Sequence, residues 1–428
     1  MKQKQQELKL NTKRTIYTGF AFFTILMLMQ IYNNYCSVFL ENLGVSSFWT
    51  GVMMALDNVF ALFMLPFFGN LSDKTNTKLG KRTPFIIAGV LLASLETPLI
   101  IIAYLQKSVV FLIIAMGLIL LSVNLYRSPA VALMPDITPK PLRSKANAII
   151  NLIGYAGGII ATILYAVTGG TKNEKLIWIP FVVLPVICII ALISFLFKIN
   201  ENKIAIEVKD DMEEGERQAE IVEKLTENKP LGKHNKFNLI IMLISVCLWK
   251  FGFNAIETFG SNFASNLTPS NDGWWGTIST AMIAISIIAF IPAGKVTEKL
   301  GRKLTVLLGN VLMILGLLIA TVLTILFEKN SGLPSILFII PILPIGIGWA
   351  WINVNSYTMV VELATKENVG KYTGYYYLFS NIAEIITPIL FGLIAEFTGY
   401  LSLFMYSLIV IDVAIMVFLM YKNKDEIN

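Results

Sequence analysis

The chain has 428 residues, of which 34 are Lys or Arg and 28 are Asp or Glu, so 14% are charged while 55% are apolar. Soluble domains carry about 25% charged residues, and a chain this poor in them lacks the polar groups to cover a water-exposed surface. That excludes most soluble enzymes and leaves an integral membrane protein.

A bilayer core of about 30 Å takes roughly 20 apolar residues per helix. Runs of that kind, bounded by polar residues, Gly or Pro, predict twelve spans: 16–40, 49–71, 84–106, 108–134, 146–170, 177–198, 237–263, 274–293, 304–327, 334–361, 372–396 and 400–421. The first is too long for a cleaved signal and is followed by no small-residue cleavage site. A charged stretch then divides the chain into a tail at 1–14, six spans within 15–199, a loop at 200–236, six spans within 237–421 and a tail at 422–428. Ile204, Ile206, Val208, Ile221, Val222 and Leu225 are spread among the loop's charges, which suits short amphipathic surface helices, with a plain solvated linker as the alternative.

Of the 34 basic residues, 28 lie in segments on the N-terminal side of the membrane; the opposite loops hold only Lys107, Lys172, Lys175 and Lys329. The positive-inside rule then places both termini and the central loop in the cytoplasm, at the cell membrane. The net charge of +6 is accounted for by this topology and gives no reason to expect nucleic acid as a partner. Cys36, Cys188 and Cys247 are far apart in apolar runs and His234 is the only histidine. No metal site, disulfide framework or Ser-His-Asp arrangement is expected, nor any cofactor. No Walker A motif is present either, so transport, if any, runs on a gradient.

The two halves repeat. Gly69-Asn-Leu-Ser-Asp73-Lys74 and Leu79-Gly80-Lys81-Arg82 lie between spans 2 and 3; Gly294-Lys-Val-Thr-Glu298-Lys299-Leu300-Gly301-Arg302-Lys303 lies between spans 8 and 9. Arg127…Asp136 at the end of span 4 corresponds to Asn353…Glu362 at the end of span 10. Here the chain resembles the major facilitator superfamily, whose inter-helix loops carry this Gly-acid-base-Gly-base-base signature. The resemblance implies an all-α fold of twelve transmembrane helices in two pseudo-symmetric six-helix bundles. It also implies a cytoplasmic gate built from Gly69, Asp73, Gly80, Arg82, Asp136 and Arg143, with Gly294, Glu298, Gly301, Arg302 and Glu362 in the second half. In such a gate glycine lets helices approach closely, and the acid caps a helix or pairs with Arg.

Gly69-xx-Ser72-Asp73 followed by Gly80-Lys-Arg-Thr-Pro84-Phe-Ile is similar to the sucrose/proton symporters, a branch near the glycoside-pentoside-hexuronide:cation symporters. So are Arg127-Ser-Pro129-Ala-Val-Ala-Leu-Met-Pro-Asp136 and Phe251-Gly-Phe-Asn254-Ala-Ile-Glu257-Thr-Phe. One position departs from the plant pattern: two residues after the proline, where those proteins have arginine, this chain has Val131. Its arginine is Arg127, about one turn earlier on the helix.

Charges inside a bilayer need a partner or water. Asp57, Glu96, Arg127, Lys250, Glu257 and Glu384 stand out, with Asp412 a weaker seventh. The resemblance implies that spans 1, 2, 4, 5, 7, 8, 10 and 11 border a central cavity, which leaves Glu96 and Asp412 to packing. Asp57 and Arg127 are expected to pair near mid-depth and Asp57 to take up a proton during transport, with a permanent structural ion pair as the alternative. Lys250, Asn254 and Glu257 share one helix face by spacing, as do Asn381 and Glu384. By the repeat offset Glu384 corresponds to Gly158, so this acid has no counterpart in the first half and is a second candidate for ion coupling. A structural bridge from Lys250 to Glu384 or Glu257 is the alternative. Tyr32, Asn33, Asn34, Asn58, Trp351, Asn353 and Asn355 complete a mixture of rings and amides that suits a sugar, whose apolar face and hydroxyls they match. Gly154, Gly157, Gly158 and Ala161 in span 5 suit a close-packing seam.

These features predict a monomeric secondary transporter that takes up a sugar, a disaccharide or glycoside, by alternating access. The coupling ion is expected to be a proton, with sodium as the alternative. An exporter of drugs or other small solutes, or a non-transporting solute sensor, are the competing functions. No nucleophile or redox constellation points to an enzyme.

Overall fold

The structure, a computed structural model, describes residues 8–225, 234–329, 333–364 and 368–422. Part of the N-terminal tail, the later part of the central loop and most of the C-terminal tail lie outside the described residues, as do the side chains of Ile221, Val222 and Leu225. Among the described residues all regular structure is helical, apart from a single bridge between Thr77 and Gly80.

Among the described residues twelve helices are long and apolar enough to cross a membrane. In chain order they are α1 Thr12–Asn42, α2 Ser47–Lys74, α3 Thr83–Leu105, α4 Val109–Asp136, α5 Lys140–Val167 and α6 Ile179–Lys198. Two shorter helices of the central loop follow, α7 Glu201–Glu207 and α8 Lys209–Leu225. The second six are α9 Lys236–Leu267, α10 Trp274–Leu300, α11 Arg302–Glu328, α12 Ser335–Glu362, α13 Val369–Thr398 and α14 Tyr400–Leu419. Side chains such as Leu95, Phe197, Ile291 and Phe397 stand exposed, as a surface facing lipid requires.

Two helices run past the ends of their apolar runs, and the reason is local. The runs of spans 2 and 8 stop at 71 and 293, yet helix continues to Lys74 and Leu300. Gly69 and Gly294 are therefore helical residues. Glycine inside a helix costs about 1 kcal/mol but does not end it. The chain turns at the next glycines, Gly80 with φ +109° and Gly301 with φ +79°, a conformation that favours glycine.

The helices pack as two compact units that do not follow the midpoint of the chain. The first holds residues 1–32, 59–161 and 178–228; the second holds 33–58, 162–177 and 229–428. In the first unit, α1 lies against α5 along a seam of small residues. A Cβ on Gly157 would strike the carbonyl of Phe23, and one on Gly154 would come within 3.0 Å of Leu26. Tyr126 on α4 and Thr24 on α1 share a buried hydrogen bond of 3.1 Å.

In the second unit the Trp249 indole donates to Asn310 at 2.7 Å, joining α9 to α11. Three acids hold residues from before the chain midpoint onto those after it. Glu41 accepts from the amides of Asn262 at 2.7 Å and Asn266 at 2.9 Å. Asp272, fully buried, accepts from Tyr165 at 3.0 Å and from the Thr171 amide and hydroxyl at 2.8 and 2.5 Å. Glu396 accepts from the Phe48 amide at 3.0 Å.

Candidate functional site

Three intramembrane charges of the second unit, Lys250, Glu257 and Glu384, meet on α9 and α13. Lys250 and Glu384 form an ion pair of 2.7 Å, with about a quarter of each side chain accessible. A proline builds the other side of this pair. Pro388 has no N–H, so the Glu384 carbonyl four residues earlier loses its intrahelical donor. The Asn58 side chain supplies one instead, at 3.1 Å. Gly51, earlier on α2, makes room for this approach, since a Cβ there would overlap the Pro388 carbonyl.

Aromatic rings flank the pair. The Lys250 ammonium sits 5.4 Å from the centre of the Trp349 ring, within cation–π range. Trp349 stacks on Phe253 at 3.9 Å and 7°. Glu257, one turn along α9 from Phe253, is exposed and within electrostatic reach of both Lys250 and Glu384. Among the described residues two buried side-chain atoms have no hydrogen-bond partner, the Asn254 amide oxygen on α9 and the Trp351 indole nitrogen on α12. The cluster thus presents a cation, two carboxylates and an aromatic face. Such a set can engage a solute carrying several hydroxyls.

The remaining expected residues fall as follows. Tyr32, Asn33 and Asn34 occupy a π-helical turn, Tyr32–Cys36, within α1; turns of this kind recur at functional sites. Tyr32 and Asn34 are buried, and the Asn33 carbonyl accepts from Ser37 at 3.3 Å. Asp57 is half-buried on α2 in the second unit, whereas half-buried Arg127 on α4 belongs to the first. Asn355 is fully buried with both ends of its amide engaged, accepting from Thr297 at 3.0 Å and donating to the Trp351 carbonyl at 2.9 Å. The first of these bonds joins α10 to α12. Asn353 and Asn381 are half-buried on α12 and α13.

The gate residues of the first half converge on Arg82. Its guanidinium donates to Asp136 at 2.9 Å, to Ser72 at 2.5 Å and to Asp73. Burial works against its charge, but the bonds and charges of Asp136 and Asp73 outweigh that, and its pKa stands above the ordinary arginine value. A Cβ on Gly69 would meet the Ser128 hydroxyl at 2.7 Å. Arg143 donates to the carbonyls of Thr138 at 3.2 Å and Pro135 at 3.1 Å, closing the end of α4.

The second half keeps only part of this arrangement. Arg302 grips Glu362 with bonds of 2.6 to 3.0 Å, the counterpart of Arg82–Asp136. Glu298 is exposed and makes no ion pair among the described residues. The expectation of close helix approach fails at Gly294, where a Cβ would meet open space.

Sequence reasoning does not single out Trp349, Phe253, Glu201 or Asp272. An aromatic three residues from an intramembrane lysine is a usable signal for Phe253. The two acids act on partners about a hundred residues away, and nothing local marks them. No group of three metal-ligating side chains occurs among the described residues.

Three comparisons bear on this geometry. The family model described as MFS/sugar transport protein matches residues 17–425. Sucrose transport protein SUC3 of Arabidopsis thaliana is 27% identical over 162 residues, covering 33% of this chain and 26% of that protein. Sucrose transport protein SUT3 of Oryza sativa subsp. indica is 25% identical over 178 residues, covering 35% and 32%. The matches thus span about a quarter to a third of these relatives' length. Among solved structures, a bacterial homologue of the iron transporter ferroportin has a TM-score of 0.69 at 13% identity, covering 96% of this chain and 99% of that one. The nucleoside transporter NupG has a TM-score of 0.64 at 15% identity, with coverage of 96% and 100%. These likenesses establish the major facilitator fold. The family and the relatives are membrane transporters, which sets the chain among transporters rather than enzymes.

Proposed function

Because this chain belongs to the MFS/sugar transport protein family, we propose that it is a secondary active transporter taking up a sugar, a disaccharide or glycoside, by alternating access with a proton. The observation that carries the reading is the Lys250–Glu384 pair at 2.7 Å, set in apolar helices beside an aromatic stack. Sugar hydroxyls would bond to Lys250, Glu257, Asn254 and the Trp351 indole, with a ring face against the aromatic groups. Tyr32, Asn33, Asn34, Asn58, Asn353 and Asn381 are assigned supporting contacts.

Coupling is assigned to Asp57, Arg127 and Glu384. An arginine keeps its proton, so the Asp57 carboxylate takes up the ion. The protein works as a monomer in the cell membrane, with its termini and central loop in the cytoplasm; the concentration of Lys and Arg on one side of the spans supports that orientation.

Reconstitution in liposomes tests the reading. With a panel of disaccharides and monosaccharides and an imposed proton or sodium gradient, at least one sugar accumulates, and the proton gradient drives it. Failure of every sugar, alongside a working control transporter, sinks the proposal; accumulation on sodium alone moves the coupling ion. In the same assay Asp57→Asn abolishes gradient-driven accumulation. If accumulation survives intact, Asp57 does not couple.

A further inference from the structure

The central loop opens with an acid that has no place in the transport cluster. Glu201, the first residue of α7, is buried at 6% exposure. A buried carboxylate must have its lone pairs satisfied. Here its oxygens accept from the backbone amides of Lys81 at 2.7 Å, Arg82 at 2.9 and 3.2 Å and Thr83 at 3.0 Å, and from the Thr83 hydroxyl at 3.0 Å. These amides are at the start of α3, where helix N–H groups have no intrahelical acceptor and the dipole favours an anion.

The same turn is held at two more points. Asn202, next along α7, donates to the carbonyls of Thr77 and Lys78, both at 3.0 Å. Gly80, with its positive φ, has no room for a Cβ because Glu201 fills that space. Arg82 is thus pinned through its backbone by Glu201 while its side chain reaches Asp73, Ser72 and Asp136.

We propose that Glu201 is a positioning residue for the Arg82 cluster: the central loop contributes the carboxylate that sets Arg82 where it ties the end of α2 to the end of α4. Helix α7 is then a working part of the gate motif. Asn202 and Gly80 serve the same end, one by holding the turn and the other by yielding space to it.

The test uses the full chain in lipid nanodiscs, with Glu201→Gln and Glu201→Asp. Glutamine offers one acceptor oxygen and turns an N–H₂ toward amide donors. Hydrogen exchange at residues 81–83 should then quicken on the order of tenfold in Glu201→Gln, and less in Glu201→Asp, which keeps the charge. Exchange in α9–α14 should stay as in the parent. Unchanged exchange at 81–83, or a rise across the whole chain in both variants, overturns the proposal.

The effect on rate rests on the sugar-transport reading. In liposomes, Glu201→Gln should lower the maximal rate with KM unchanged, and should add no further loss in an Arg82→Gln background. Additive losses would mean that Glu201 does not act through Arg82. If the parent protein moves no sugar, the transport reading fails while the exchange measurement still decides the role of Glu201.

Discussion

The Lys250–Glu384 pair shows what a single charge can demand of its surroundings. Each ion sits in a helix that crosses a bilayer, and removing one partner strands the other. Such a loss costs about 3 kcal/mol, the low end for buried pairs, because a quarter of each side chain remains accessible. Lys250→Met should therefore lower the melting temperature in detergent, and the double variant with Glu384→Gln should recover most of the loss. A double variant as unstable as the single one would show that the pair is not the source of the effect. The gate arginines differ for the same physical reason. Arg82 is buried among three acceptors, whereas Arg302 meets Glu362 with 33% and 54% of their side chains accessible. An exposed pair of that kind contributes at most about 1 kcal/mol.

At the level of the helix, glycines sort by what stands opposite them. On α5, Gly157 faces the backbone of Phe23, which cannot rotate away as a side chain can. Gly157→Ala should cost roughly 1–3 kcal/mol through overpacking. On α4, a Cβ at Gly117 meets nothing within 4 Å, and Gly117→Ala should be neutral or stabilising by up to about 1 kcal/mol. Thermal melting of the two variants side by side checks this, and equal effects would contradict the seam. The proline in α13 belongs to the same scale. Pro388 frees a carbonyl, and Asn58 takes over that bond within a helix that continues to Thr398.

For the whole molecule, the division into units matters more than the order of the spans. Residues 33–58 and 162–177 leave the six spans they belong to in sequence and pack with 229–428. Acids supply much of the attachment, and Asp272 is the most enclosed of them. Asp272→Ala leaves the Tyr165 hydroxyl and the Thr171 amide without an acceptor, at a cost of roughly 2–3 kcal/mol. Faster hydrogen exchange around 168–172 and a lower melting temperature are the expected results. Parent-like values for both would remove Asp272 from this role.

The sequence by itself determined the twelve spans, the internal repeat and the charges lying within apolar runs. Each of these depends on composition over about 20 residues, which a chain displays before it folds. Part of the Arg82 cluster was legible too, because Ser72, Asp73 and Arg82 lie within one short motif, whereas Asp136 is 54 residues further on. Tertiary structure alone decided the partners. Glu257 shares a helix with Lys250, yet the lysine pairs with Glu384, 134 residues away. Asn355 has the look of a binding amide and instead spends both ends of its side chain within the protein. Glu201 reads as one more acid in a charged loop, and it caps a helix that begins 118 residues earlier. A hydrogen bond needs its atoms within about 3 Å. Whether they arrive there depends on helix rotation, depth and kinks, to which hydropathy is blind.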